Sequence, residues 1–152
     1  MEAKLVNPFV DALVAVMPQM GFDVPKRTGI GVASQTCTSL GVSIIVGFTK
    51  GLRGNVVYNM TEDAAKFIAS KMMMGMPVDD LNDMAQSALS EMSNMLTANA
   101  ATNLAGLGYE VDISTPSLTV GQDFKIKISN ENYLVVKMDI GGQTMELNIA
   151  VQ

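Results

Sequence analysis

The sequence has no histidine, no tryptophan and a single cysteine, and aromatic residues make up only 5% of its 152 positions. Without histidine the chain can build neither a Ser-His-Asp nor a Cys-His triad, and it lacks a principal zinc ligand. Cys37 has no partner within the chain for a disulfide, which fits a reducing compartment. With no histidine to activate it, this thiol reads as a small buried or half-buried side chain, not a nucleophile. Positive charge is scarce too: 10 Lys/Arg stand against 15 Asp/Glu, for a net charge of −5. No cluster of Lys and Arg offers a local basic patch, so a nucleic-acid partner is not expected. Long apolar runs are missing. The stretch 42–48 is too short to cross a bilayer, and the N-terminal apolar segment is broken by Asn7, Pro8 and Asp11, so it reads as neither signal peptide nor span. The expectation is a soluble, cytoplasmic protein with no membrane insertion, in which the triplet Asn59-Met60-Thr61 would never meet the glycosylation machinery. Apolar residues at 48% and charged residues at 16% exclude a disordered tail and support one core, hence a single domain over residues 1–152.

Residues 3–20 place Leu5, Phe9, Leu13, Val16 and Met20 at helical spacing. Asn7 is the expected cap, Pro8 suits the first turn, and Gly21 ends the helix. From Thr28 to Met60 the texture becomes β-branched. Val42, Ile44, Val46 and Phe48 alternate as one buried strand face, residues 50–54 form a turn, and residues 55–60 return as the second arm of a hairpin. Thr61, Glu62 and Asp63 announce a helix whose buried side is Ala64, Ala65, Phe67, Ile68, Met72 and Met73, stopped by Gly75 and Pro77. Another start at Asp79-Asp80 opens a pattern running from Leu81 to Leu104, ended by Gly106 and Gly108. Strand signals follow at residues 118–120, 124–128, 133–140 and 145–151, separated by turns at 121–123, 129–130 and 141–142. Helix, strands, two helices and strands without strict βαβ alternation indicate α+β with a largely antiparallel sheet.

Several motifs fail. Gly29-Ile30-Gly31 is a fragment of a dinucleotide fingerprint, but no helix follows it, and a strand-entry turn explains it better. No Gly-Lys-Ser/Thr phosphate loop exists. Asp79, Asp80 and Asp83 favour a helix N-terminus, which accounts for them without a metal, although carboxylates are natural Mg²⁺ ligands. The methionines crowding the two central helices fit an irregular packed pair, with an adaptable contact surface as the alternative.

The long helix is the informative element. At about 100° per residue, Leu81, Met84, Ala85, Ala88, Leu89, Met92, Met95 and Leu96 share one arc. Asp83, Ser87, Ser90, Glu91, Asn94, Ala98 and Ala101 lie opposite. Glu91 and Asn94, three apart, sit side by side, with Ser87 one turn before. Ser90 and Ala98 are small, so another protein can approach closely and meet a carboxylate and an amide. A bare Glu-x-x-Asn is weak: composition alone supplies about 0.4 such pairs, and an ordinary solvated face explains it.

Ser87-x-x-x-Glu91-x-x-Asn94, followed at a distance by Pro116, resembles the signature of the CheC/CheX/FliY family of phosphatases, chemotaxis proteins that dephosphorylate the response regulator CheY. The likeness extends over residues 41–76, with their Gly-flanked hairpin, Ala-rich helix and Met72-Met73-Met74-Gly75 ending. Leu107-Gly108, Val111-Asp112-Ile113, Thr115-Pro116-Ser117 and the N-terminal helix also resemble the family. The resemblance implies a CheC-like fold: a largely antiparallel sheet carrying a pair of central helices and an N-terminal helix. CheC-type members typically carry two such motifs. Here Glu2 is followed three on by Leu5, a departure that points to the one-site branch and its homodimeric precedent, with alternating strands over residues 124–151 able to supply edges. The implied activity is hydrolysis of the aspartyl phosphate of a CheY-like response regulator. Asn94 would position the attacking water and Glu91 would pair with the regulator's lysine; Ser87, Ser90 and Ala98 would contact the partner. No cofactor or metal of its own is implied, the Mg²⁺ being the regulator's. The alternative is a non-catalytic CheC-like adaptor or flagellar-switch module that binds a response regulator.

Overall fold

Alternation of apolar residues along Val42, Ile44, Val46 and Phe48 buries one face of a strand, and all four side chains are at most 2% exposed. In the computed structural model, which describes residues 3–152, this run is the end of a strand of 25 residues, β1 (Lys26–Lys50). The expected hairpin follows, with β2 (Gly54–Thr61) antiparallel to β1 and Ile45 opposite Val57. Thr61 then caps α2 (Glu62–Met72): its hydroxyl accepts from the Ala64 N–H at 3.1 Å. Gly41 lets that helix start so close to β1, since a Cβ there would stand 2.6 Å from the Glu62 nitrogen. The buried side of α2 is narrower than expected. Ala64, Ala65, Ile68 and Ala69 are buried, while Phe67 in mid-helix and Met72 and Met73 at the C-terminal end are only half-buried.

At the N-terminal end a 3₁₀ turn (Ala3–Leu5) precedes α1 (Asn7–Val16), and a second 3₁₀ turn (Met17–Met20) ends at Gly21 with φ of 91°. Asn7 is not the cap. Val6 occupies that position without a side-chain bond, because the preceding turn already delivers the chain in helical geometry and Pro8 lacks the N–H a cap would satisfy. Glu2, and with it the Glu2-to-Leu5 spacing, lies outside the described residues.

After α3 (Asp83–Gly106) come β3 (Val111–Ile113), β4 (Ser117–Ile140) and β5 (Gln143–Val151). Only one of the three expected turns in this region is a turn, at Gly141-Gly142. The other two are bulges in β4, which runs antiparallel to β1 along its whole length: residues 128–131 face Gln35 alone, and residues 123–124 face Ser39 alone. Asp123 and Gln35 take positive φ of 65° and 62° there. Gly29-Ile30-Gly31, expected as an entry turn, is paired strand opposite residues 135–137. Polar and glycine residues mark a break in regular pairing, and a bulge needs them as much as a reversal does.

The pairings run β1 to β2 to β5 to β4 and back to β1, all antiparallel, with β3 added to the end of β1. The architecture is α+β. One face of the sheet carries the main core, where Phe9 and Leu13 of α1, Ile68 of α2, and Leu89, Met92 and Leu96 of α3 meet Ile44, Tyr58, Met138 and Leu147. The opposite face holds a smaller cluster, in which the β1/β4 ribbon packs Cys37, Ile128 and Tyr133 over Val57 and Ala150. β5 is paired on both sides. The open edges belong to residues 26–34 of β1 and to β4 before Tyr133. Among the described residues no helix is long and apolar enough to cross a membrane.

Candidate functional site

Helix α3 begins at Asp83 because Asn82 caps it, its side-chain oxygen accepting from the Ala85 N–H at 2.9 Å. The expected start at Asp79-Asp80 is three residues early: both aspartates are exposed in the preceding loop, and the amide of Asn82 supplies the cap. The helix is seated by Ala85, Leu89, Met92, Leu96, Ala100 and Leu104, all at most 1% exposed. Two polar residues share that seat. Thr97 donates to the Ser93 carbonyl at 2.7 Å, which commits its only proton, so the Tyr58 hydroxyl donates to Thr97 across 2.8 Å. Met84, expected on the buried arc, is 61% exposed. It lies in the first turn, before the helix crosses the sheet, and the buried stripe runs instead through Ser93 and Thr97.

The opposite face behaves as its spacing predicts. Ser87, Glu91, Asn94 and Ala98 are exposed and Ser90 is half-buried. Glu91 and Asn94 differ by about 60° around the helix and about 4.5 Å along it, so carboxylate and carboxamide project together. Neither enters a hydrogen bond or ion pair with the rest of the described chain. Both are available to an incoming partner.

They line an open groove of about 530 Å³. One wall is α3, through Asp83, Gln86, Ser87, Ser90, Glu91 and Asn94; the other is Thr115 and Pro116, from the segment joining β3 to β4, and Leu118 at the start of β4. The groove thus unites Ser87, Ser90, Glu91 and Asn94. Ala98, one turn beyond, is not among its lining residues. Asp83, Gln86, Thr115 and Leu118 were not singled out from the sequence as site residues. The available signal was Pro116, a residue that cannot donate to a strand ladder and so marks a place where the chain leaves it. Gln86 is held by its own amide, which donates to the Leu81 carbonyl at 2.8 Å. The titratable side chains lining the groove, Asp83 and Glu91, are both acidic, so the groove suits a cationic group on its partner. Among the described residues no group of three or more His, Cys, Asp or Glu is arranged to hold a metal ion.

The profile of the family described as "Chemotaxis phosphatase CheX" matches residues 42–139. The "CheY-P phosphatase CheX" of Thermotoga maritima is 30% identical over 127 residues, covering 84% of this chain and 82% of that protein. A CheC-like superfamily protein from a Shewanella species superposes with a TM-score of 0.88 at 23% identity, over 100% of this chain and 99% of the other. A CheX from Borrelia burgdorferi, crystallised as a CheX-CheY-BeF3-Mg²⁺ complex, gives 0.78 at 28% identity, with 97% of each chain covered. The matched span takes in α2, α3 and the groove walls, with both Glu91 and Asn94 inside it. The chain belongs to the CheX family of chemotaxis phosphatases.

Proposed function

We propose that the chain hydrolyses the aspartyl phosphate of a CheY-like response regulator, and that the α3 groove is where the regulator docks. An acyl phosphate on a receiver domain already has its metal, its lysine and an activated leaving group. What remains is to hold a water in line with the phosphorus, because such transfers depend mainly on positioning and charge stabilisation. Asn94 is suited to that task. Its carboxamide donates and accepts at once, and among the described residues nothing competes for it. Glu91, one helical step away, pairs with the regulator's lysine and fixes where Asn94 enters. Ser87, Ser90 and Ala98 keep the face low enough for close approach. The Mg²⁺ is the regulator's. A cytoplasmic site of action and a homodimeric state belong to the same reading, the latter through the open strand edge of residues 26–34.

The observation that carries this reading is the juxtaposition of Glu91 and Asn94, exposed and without a side-chain partner among the described residues, inside a groove on a firmly seated helix. Phosphate release from a Mg²⁺-loaded, phosphorylated receiver tests it. The wild type should accelerate release. If positioning the water is worth roughly 100-fold, Asn94→Ala forfeits about 2.7 kcal/mol of barrier lowering while still binding the receiver. Glu91→Ala should weaken binding as well, by loss of a charge-assisted contact. Unchanged hydrolysis by Asn94→Ala would remove the water-positioning role, and binding without any acceleration by the wild type would make the chain an adaptor.

A further inference from the structure

β3 and β4 lie along the same edge of β1 and would be one strand but for residues 114–116. Ile113 is opposite Phe48 and Ser117 is opposite Ile45, so three residues face two. The interruption is a bulge, and Ser114 builds it. Its N–H donates to the Gly47 carbonyl at 2.8 Å, as in a continuing ladder. The Gly47 N–H, however, donates to the Ser114 hydroxyl oxygen at 2.8 Å, taking the side chain in place of the backbone carbonyl. That hydroxyl in turn donates to the Thr115 carbonyl at 3.1 Å. The substitution keeps Gly47 satisfied while the chain peels away from β1. Pro116, with no N–H to lose, is the residue such a bulge tolerates. The displaced Thr115 and Pro116 form the wall facing Glu91 and Asn94.

We infer that this bulge is a docking wall for the response regulator, with Thr115 and Pro116 as contact residues and Ser114 as the positioning residue that holds them. The inference rests on the regulator reading above and adds to it a second surface, remote in sequence from the helix motif. A receiver entering the groove to reach Asn94 is confined between α3 and this wall. The wall therefore acts on affinity, while the chemical step stays with Asn94.

Binding to a receiver loaded with Mg²⁺ and beryllofluoride, together with steady-state hydrolysis of the phosphorylated receiver, tests this on the full chain. Ser114→Ala removes the acceptor for Gly47 and should raise both Kd and KM by about three- to tenfold, the scale of one hydrogen bond, with kcat unchanged. Ser114→Thr keeps the hydroxyl and should restore both constants. Thr115→Trp leaves the Gly47 bonds intact, obstructs the groove and should weaken binding more than Ser114→Ala, which guards against a general folding defect in the serine variant. Unaltered Kd in both Ser114→Ala and Thr115→Trp would overturn the wall, as would a loss confined to kcat. A wild type that binds the receiver without hydrolysing it would sink the phosphatase reading alone, because the Kd comparison still decides the wall.

Discussion

Cys37 shows how a residue with no reactive role still records its surroundings. Its side chain sits in the smaller core under β1 and β4, where the Asn59 amide donates to the sulfur at 3.4 Å and to the Thr38 carbonyl at 2.9 Å. Burial pushes the thiol up to about 11 from an ordinary 9.0; the Glu146 charge adds to the rise, and the Asn59 contact opposes it. Tyr133 beside it is raised to about 12, first by burial and then by Cys37 and Glu146. A thiol held protonated in the folded state but free to ionise once unfolded stabilises the fold fully below about pH 9. That contribution is lost as pH rises through about 11. The urea midpoint of the wild type should therefore fall between about pH 8 and about pH 11 more steeply than that of Cys37→Ala. Parallel declines would mean that Cys37 does not govern the alkaline limb. The sequence supports part of this: with no histidine, Cys37 reads as a buried or half-buried side chain and not a nucleophile, and the fold settles its burial at 4% exposed. The amide beside it could not be foreseen, because Asn59 comes from another strand and reads, in isolation, as a glycosylation triplet.

At the scale of the element, α3 carries the Glu91/Asn94 pair on which the proposed function rests, and its two faces were unequally legible. The exposed face follows from spacing alone, since Ser87, Glu91 and Asn94 fall together at any plausible helix start. The buried face depends on where the helix crosses the sheet, which periodicity does not specify; hence Met84 is exposed while Ser93 and Thr97 are buried. Both are satisfied, Ser93 by donating to the Ser90 carbonyl at 2.8 Å and Thr97 through Tyr58. Tyr58→Phe leaves Thr97 bonded to Ser93, so the change should cost only about 0.5–1.5 kcal/mol in denaturant unfolding. A cost well beyond that range would show that this hydroxyl also sets the helix position. The cap is the other fixed point. Asn82→Ala removes the acceptor for Ala85 and should destabilise the protein by about 1 kcal/mol while leaving the Glu91/Asn94 pair, more than two turns further on, in place. Hydrolysis measured well below the melting temperature should then match the wild type, and a drop in turnover would mean that the cap also aligns the site.

The whole molecule is organised by the β1/β4 ribbon, and here the sequence was least legible. Glycines and polar residues at 121–123 and 129–130 suggest reversals, but the long-range partner supplied by β1 converts both into bulges of one strand. Local chemistry cannot distinguish the two outcomes, because the deciding hydrogen bonds come from residues far away in sequence. The same ribbon leaves residues 26–34 of β1 paired on one side only. Ile30 and Val32 there are 55% and 66% exposed, opposite Val136 and Leu134, so the apolar face of the sheet continues past the end of the chain's own cover. An unprotected edge with apolar side chains invites a second strand, and a second copy offers the same edge in a two-fold pairing. On the homodimer reading, the wild type should sediment at twice the chain mass. Val32→Lys, placing a charge on the edge at an exposed position, should shift it to monomer with little change in melting temperature. On the reading proposed above, the groove of Glu91 and Asn94 is formed by α3, Thr115, Pro116 and Leu118 of a single chain, so the monomeric variant should retain hydrolysis of the phosphorylated receiver. A wild type that sediments as a monomer would end the dimer reading. A Val32→Lys protein that remains dimeric would move the interface to the other open edge, on β4 before Tyr133.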